Sequence, residues 1–346
     1  MRLASLALTL VSAGALAVSL SCFPRVRVTP PPADAPAEEV ALAGAAVLIG
    51  SGDIATCDSQ DDAATAAIID SVLRADTAAG VEHAVFTTGD NTYPVGAFRD
   101  FQVCFGNSWG DTTKLIMKYI RPSLGNHDIA SGDGMNYFNY FGERAGPRGK
   151  GYYSYKLGEW HVIALNSEMT VGSRFSPADR GEQETWLKKD LQDNADKKCT
   201  VAYMHRPLFS SGGHSGNPEV QRLWTILHEG GADLILAGHD HHYERFAPQT
   251  PAGVLDTVNG IPQIVIGTGG APLRGLRTPV RNSVTRIQGH FGVLKLTLGA
   301  GEFRHAFIDT RGRVWDRGGG KCRDGTPAVA PGAAKGAAKD SAKDSS

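Results

Sequence analysis

The stretch Gly238-His239-Asp240-His241-His242-Tyr243-Glu244-Arg245 sets two histidines one residue apart, directly after the apolar run from Ala232 to Ala237. That run reads as a buried strand, so His239 and His241 stand where a strand spills into a loop. An H-x-H pair by itself is weak. Four further blocks precede it in order: Gly52-Asp53, Gly89-Asp90-Asn91-Thr92-Tyr93, Gly125-Asn126-His127-Asp128 and Met204-His205-Arg206-Pro207. Each follows a short β-rich apolar run. Five strand ends that each deliver a polar ligand describe a dinuclear metal site. The donors are carboxylate, amide, phenol and imidazole with no thiolate, the set that hard di- and trivalent cations prefer.

On these five blocks the chain resembles the calcineurin-like metallophosphoesterases, and most closely the purple acid phosphatases. The resemblance implies an α/β (α+β) fold, a four-layer α/β/β/α sandwich of two packed mixed sheets flanked by helices. It also implies two metal ions. Asp53, Asp90, Tyr93 and His241 would hold the first. Asp90 as bridge, Asn126, His205 and His239 would hold the second. A bridging carboxylate brings two cations to about 3.5–4 Å. A phenolate at Tyr93 favours Fe(III), paired with a divalent Fe, Zn or Mn, and the alternative is a turn aromatic before Pro94. The implied reaction is hydrolysis of a small phosphorylated substrate by metal-bound hydroxide. His127 would give a proton to the leaving group or bind phosphate, with Asp128 orienting its ring. His214, on a loop after the His205 strand, would be a second substrate histidine, the alternative being a solvated loop histidine. Asn91 and Arg206 are further candidates to contact phosphate; for Asn91 the alternative is turn chemistry. Arg245 would attract anionic substrate or pair with Glu244 or another acid, and His242 would sit at the pocket edge. Phosphomonoester hydrolysis is the leading expectation, and a phosphodiesterase or nucleotidase on the same centre is the alternative. A non-catalytic exported metal-binding module is the remote one.

Two departures from the family pattern stand out. The first block reads Gly52-Asp53-Ile54-Ala55 where many relatives have glycine after the Asp-x pair, so Ala55 is expected to narrow that loop. The chain also lacks the extra N-terminal β-sandwich of the large plant-type enzymes, so their dimer contacts do not carry over.

Working outward from the blocks, the pattern alternates. Strands are predicted at Ala45–Ile49, Val81–Thr87, Cys199–Tyr203 and Ala232–Ala237, a hairpin at Tyr152–Leu157 and Trp160–Leu165, and late strands at Ile261–Gly267, Gly292–Leu298 and Phe303–Asp309. Helices are predicted at Asp61–Thr77, Pro177–Asp193 and Pro218–Glu229, the last ended by Gly230-Gly231. Residues 44–323 form one catalytic domain. Residues 324–346, poor in apolar side chains, read as a disordered tail.

The N-terminus reads as export. Met1-Arg2 precedes an uncharged, small-residue apolar stretch to Leu20, so residues 1–21 are a signal peptide. Cys22 occupies the lipidation position of a bacterial lipoprotein, although Ser19 stands where Leu is usual; the alternative is ordinary cleavage near Ala17 or Ser21. Residues 22–43 are a Pro/Ala-rich tether. The expected location is the periplasm or the outer surface of a bacterial membrane, with membrane contact only through that anchor. An oxidising compartment permits disulfides among Cys57, Cys104, Cys199 and Cys322, which can pair three ways. Cys57–Cys104 and Cys199–Cys322 are expected, with free buried thiols as the alternative. A net charge of -1 excludes a global field that recruits nucleic acid. Gly106-Asn107-Ser108-Trp109-Gly110 matches G-x-S-x-G but lacks the strand that a nucleophile elbow needs before it. Gly267-Thr268-Gly269-Gly270 lacks the Lys of a phosphate loop and reads as a turn near the pocket rim.

Overall fold

Strands buried on both faces show near-continuous apolar sequence, and the central strands of this chain do so. The computed structural model describes residues 42, 44–172 and 174–323. The signal peptide, Cys22, most of the tether and the tail lie outside the described residues. The chain order is β1 (Ala46–Ser51), α1 (Asp61–Ala78), β2 (His83–Thr87), α2 (Phe98–Val103), α3 (Ile116–Tyr119), β3 (Ile120–Pro122), α4 (Met135–Phe141), β4 (Tyr153–Leu157), β5 (Trp160–Ala164), α5 (Pro177–Asp193), β6 (Cys199–Tyr203), α6 (Gln221–Glu229), β7 (Leu234–Ala237), β8 (Tyr243–Phe246), β9 (Gln263–Ile266), β10 (Ser283–Ile287), β11 (Gly292–Gly299), β12 (Glu302–Asp309) and β13 (Val314–Lys321).

Two mixed sheets result, one ordered β13-β12-β11-β1-β2-β3 and the other β10-β8-β9-β7-β6-β5-β4. Successive residues of a strand face opposite sides, and the three apolar clusters sort accordingly. Leu48, Phe86, Val162, Val201, Tyr203, Leu236, Leu294 and Phe307 fill the space between the sheets. Ile49, Val85 and Val293 turn the other way, onto Ile69 and Leu73 of α1 and the aromatics Phe101 and Phe141 of α2 and α4. Ile163, Ala202 and Ile235 face Leu187, Leu223 and Trp224 of α5 and α6. Helix, sheet, sheet and helix thus stack in the four layers expected.

β1–β2–β3 are parallel, as are β5–β6–β7. Their carboxyl ends therefore gather on one side of the sandwich, where ligands of open α/β sheets bind. The α5 boundary is legible because Ser176 caps it: its Oγ accepts from Asp179 N–H at 3.2 Å and Asp179 Oδ2 accepts from Ser176 N–H at 2.9 Å. The helix predicted from Pro218 is different. Pro218–Val220 is a 3-10 turn, and the α-helix begins at Gln221. β8, β10 and β13 were not expected. β8 lies inside the histidine motif itself, and β13 carries Gly318-Gly319-Gly320, which has little strand propensity of its own.

Cys57–Cys104 and Cys199–Cys322 are both disulfide-bonded. The first joins the loop after β1 to the end of α2. The second ties the first residue of β6 to the residue following β13, and so links the two sheets. Ser108 is buried with its Oγ on the Phe105 carbonyl, so the G-x-S-x-G match presents no nucleophile.

Candidate metal centre

The five blocks converge because β1 and β2 stay paired beyond their ends. Asp53 N–H donates to Gly89 O (3.0 Å), Ile54 N–H to Asp90 O (2.9 Å), Ala55 N–H to Asn91 O (3.2 Å) and Tyr93 N–H to Ala55 O (2.9 Å). Ala55 extends this ladder opposite Thr92. Close approach demands glycine at two positions. A Cβ on Gly125 would fall 2.3 Å from Asp90 Oδ1, and one on Gly238 would fall 2.6 Å from Asp53 Oδ2. Asp53, Asp90 and His239 themselves adopt positive φ (56°, 49° and 69°). Left-handed backbone at non-glycine residues costs free energy and clusters at functional sites.

The polar atoms form two sets that share Asp90. In one, Tyr93 OH lies 3.1 Å from both Asp53 Oδ1 and Asp90 Oδ2 and 3.2 Å from His241 Nε2. Asp53 Oδ1 lies 3.2 Å from His241 Nε2. In the other, His205 Nε2 lies 3.3 Å from Asp90 Oδ2, 3.0 Å from Asn126 Oδ1 and 3.1 Å from His239 Nδ1. The opposite ring nitrogens decide the tautomers. His205 Nδ1–H donates to Thr88 O and His241 Nδ1–H to Pro272 O, each at 2.8 Å. For the neutral rings, both Nε2 lone pairs then point inward. Tyr93 has one proton to share among three acceptors in the first set; in the second, Arg206 donates to His239 Nε2, so the single proton on His239 Nδ1 faces the lone pairs of Asp90, Asn126 and His205. Converging acceptors without matching donors fit a cation in each set.

Electrostatics agree. Burial raises Asp90, but His205 and His127 outweigh it and hold the carboxyl well below the usual range. Burial lowers His205, yet Asp90, Asp53 and Glu168 push it up to about 10, so without a cation a proton takes the cation's place. Burial, then Asp90 and Asp53, drive the Tyr93 phenol well above its ordinary value. Burial, then the His205 and Arg206 charges, press His239 well below its own.

His127 lies at the edge of this centre, half-buried, with its ring centroid 4.3 Å from that of Tyr93 and Nε2 4.0 Å from Asp90 Oδ2. Its Nδ1–H donates to Pro94 O at 2.6 Å. Asp128 therefore does not orient that ring. It is fully buried and accepts from Asn91 N–H, Asn91 Nδ2 and Gly125 N–H, each at 2.9 Å, which locks the Asp90 loop to the Asn126 loop. Burial and then the Asp90 charge push Asp128 up to about 7. Asn91 is likewise buried, its other amide bond going to Ser123 O, so it braces the loop and does not face substrate.

Arg206 does not reach out for phosphate either. It forms a two-point pair with Glu168 (2.8 and 2.9 Å) and lies 3.3 Å from Asn126 Oδ1 and 3.2 Å from His239 Nε2. Glu168, in the 3-10 turn Ser167–Met169 after β5, carried no signal in sequence. His214 is brought to the centre, exposed, its ring 4.6 Å from that of His239. Its loop hangs on Asp240, which accepts from His214 N–H (2.8 Å) and Ser210 Oγ, and on Glu244, which accepts from Ser211 N–H (2.7 Å). His242 is buried against Glu244 at 3.1 Å and is not at the pocket edge. Arg245 pairs with Asp316 at 2.7 Å. Gly267 and Gly269 lie beneath Asp53, bonded to His242 O and Gly52 O, and not at the rim.

Residues 49–243 match the calcineurin-like phosphoesterase family. The chain belongs to that family. Among curated relatives it is 30% identical to purple acid phosphatase 21 of Arabidopsis thaliana over 160 residues, 40% of this chain and 35% of that protein. It is 26% identical to human acid phosphatase type 7 over 201 residues, 51% of this chain and 43% of that protein. The chain thus spans less than half the length of these relatives. Its fold superposes on the yellow lupin purple acid phosphatase PPD1 with TM-score 0.65 at 19% identity, covering 82% of this chain and 56% of that one. GAP50, the anchor in the inner membrane complex of Plasmodium, gives 0.60 at 14% identity over 81% of this chain and 89% of that one.

Proposed function

We propose that this chain is an exported phosphomonoester hydrolase of the purple acid phosphatase type. The observation that carries the reading is the pair of donor sets sharing Asp90, each with more inward lone pairs than protons. Asp53, Asp90, Tyr93 and His241 would hold one cation, and Asp90, Asn126, His205 and His239 the other. Bound there, the pair would supply Lewis-acid charge to the phosphate oxygens and lower the pKa of water toward neutrality. Tyr93 suits Fe(III), with a divalent Fe, Zn or Mn beside it.

The remaining residues position and move protons. His127, held at Nδ1 by Pro94 O, presents Nε2 to the leaving-group oxygen and gives it a proton; help of this kind is worth about 10²–10⁴-fold. His214 holds a phosphate oxygen from the opposite loop. Asp128 and Asn91 keep Asp90 and Asn126 in register, and the Arg206–Glu168 pair fixes Asn126 and His239. The two disulfides support an oxidising compartment. We further propose export through residues 1–21 and lipidation at Cys22, which the intact mass of membrane-extracted protein tests.

The test is kcat/KM for a chromogenic phosphomonoester against the matching diester, on metal-replete protein. A monoester preference supports the proposal. A diester preference reassigns the chain as a phosphodiesterase on the same centre, and turnover of neither makes it a binding module.

A further inference from the structure

Of the strap of chain after β9, residues 272–280, only Pro272 O enters the reading above, as the acceptor for His241 Nδ1–H. Four backbone hydrogen bonds tie the strap to the loops of the site. Pro272 O accepts from His241 Nδ1 (2.8 Å), Arg274 N–H donates to His241 O (3.0 Å), Arg277 N–H to Ser211 O (2.7 Å) and Val280 N–H to Ser211 Oγ (3.0 Å). The first two bonds hold the strap to the H-x-H loop, and the last two to the loop that carries His214. Arg274 and Arg277 therefore stand on a braced backbone where those two loops meet. Both are exposed, and among the described residues neither guanidinium has an ion pair or hydrogen bond.

Unpaired guanidiniums on a fixed backbone beside a phosphate site are suited to grip a further anion, because their planar fork matches two phosphate oxygens. We propose that Arg274 and Arg277 form a second anion subsite, which holds the non-reacting phosphate of a bisphosphorylated substrate while the other phosphate occupies the metal centre. The inference rests on the phosphoesterase reading and names its substrate class. The chemistry at the reacting phosphate is ordinary hydrolysis. A water oxygen forms the new P–O bond, the ester P–O bond breaks, and its electron pair stays on the alcohol oxygen, which takes up one proton. The second phosphate is unchanged.

The experiment compares fructose 1,6-bisphosphate with fructose 6-phosphate on metal-loaded full-length protein, by calorimetric binding and by phosphate release. Exposed ion pairs are weak, so each arginine contributes up to about fivefold. The wild type should favour the bisphosphate about tenfold, through Kd and KM and not kcat, with the preference shrinking as salt rises. Arg274→Ala with Arg277→Ala should abolish the preference, and Arg274→Lys with Arg277→Lys should restore part of it. Both arginines are exposed, and an unchanged Tm confirms the fold. A preference absent from the wild type, or one that survives the alanine pair, overturns the subsite. Arginine-dependent discrimination in binding with no phosphate release sustains the subsite and overturns the hydrolase reading instead.

Discussion

Loading the centre should release protons, and Tyr93→Phe should remove one of them. Without a cation, His205 keeps its proton up to about pH 10. At pH 7 a cation must displace that proton against about three pKa units, a cost of about 4 kcal/mol. Each unit of rising pH removes about 1.4 kcal/mol of that cost, so affinity should climb about tenfold per unit. Tyr93 also carries its proton at these pH values, since burial and the two carboxylates hold its phenol well above the usual range. A phenolate ligand must lose that proton too, giving the wild type a steeper pH dependence. Calorimetry with Ga(III), a redox-inert trivalent cation, and then Zn(II), in buffers of different ionisation enthalpy at pH 8, counts the protons. At that pH Asp128 is already mostly ionised and adds little. Tyr93→Phe should release one proton fewer than the wild type, and the iron-loaded variant should lose its visible absorption band. Equal proton counts in the two proteins would refute the phenolate assignment, and pH-independent affinity would refute the role given to His205.

His127→Ala should lower kcat by about 10²–10⁴-fold with metal content unchanged by elemental analysis; equal loss of both would make His127 a structural residue. Breaking Cys199–Cys322, which spans 123 residues, should destabilise the fold by about 5 kcal/mol on the chain-entropy account, read from denaturant melts of the double serine variant. Asp316 joins β13 to Tyr243 and Arg245 of β8, and although burial opposes it, His305 and Arg245 hold its carboxyl well below the usual range. Its stabilisation is therefore present above the unfolded carboxylate pKa of about 4 and is lost as pH falls below it. Asp316→Ala should cost about 3 kcal/mol at pH 7 and flatten the acid limb of the stability curve, and an unaltered acid limb would remove Asp316 from that role.

Much of the centre is legible along the chain. Ligand blocks at strand ends carry their own signature, because glycines must admit the close approaches at Gly125 and Gly238 and because a buried strand announces itself by its apolar run. The layers follow from the same runs: β1, β5, β6 and β7 are apolar on both faces and so need cover on both. What lies beyond reach of the sequence depends on partners distant along the chain. Asp128 sits beside His127, yet its carboxylate turns to Asn91 and Gly125, since burial demands that its oxygens find N–H donors and those loops supply them. Arg206 looks free to bind an anion until Glu168, 38 residues away, claims it. The strap that carries Arg274 and Arg277 has no motif, only backbone bonds to loops distant along the chain. Local spacing determines which atoms are available for a ligand. Only the tertiary structure decides which of them remain unsatisfied, because satisfaction is settled by long-range neighbours and burial.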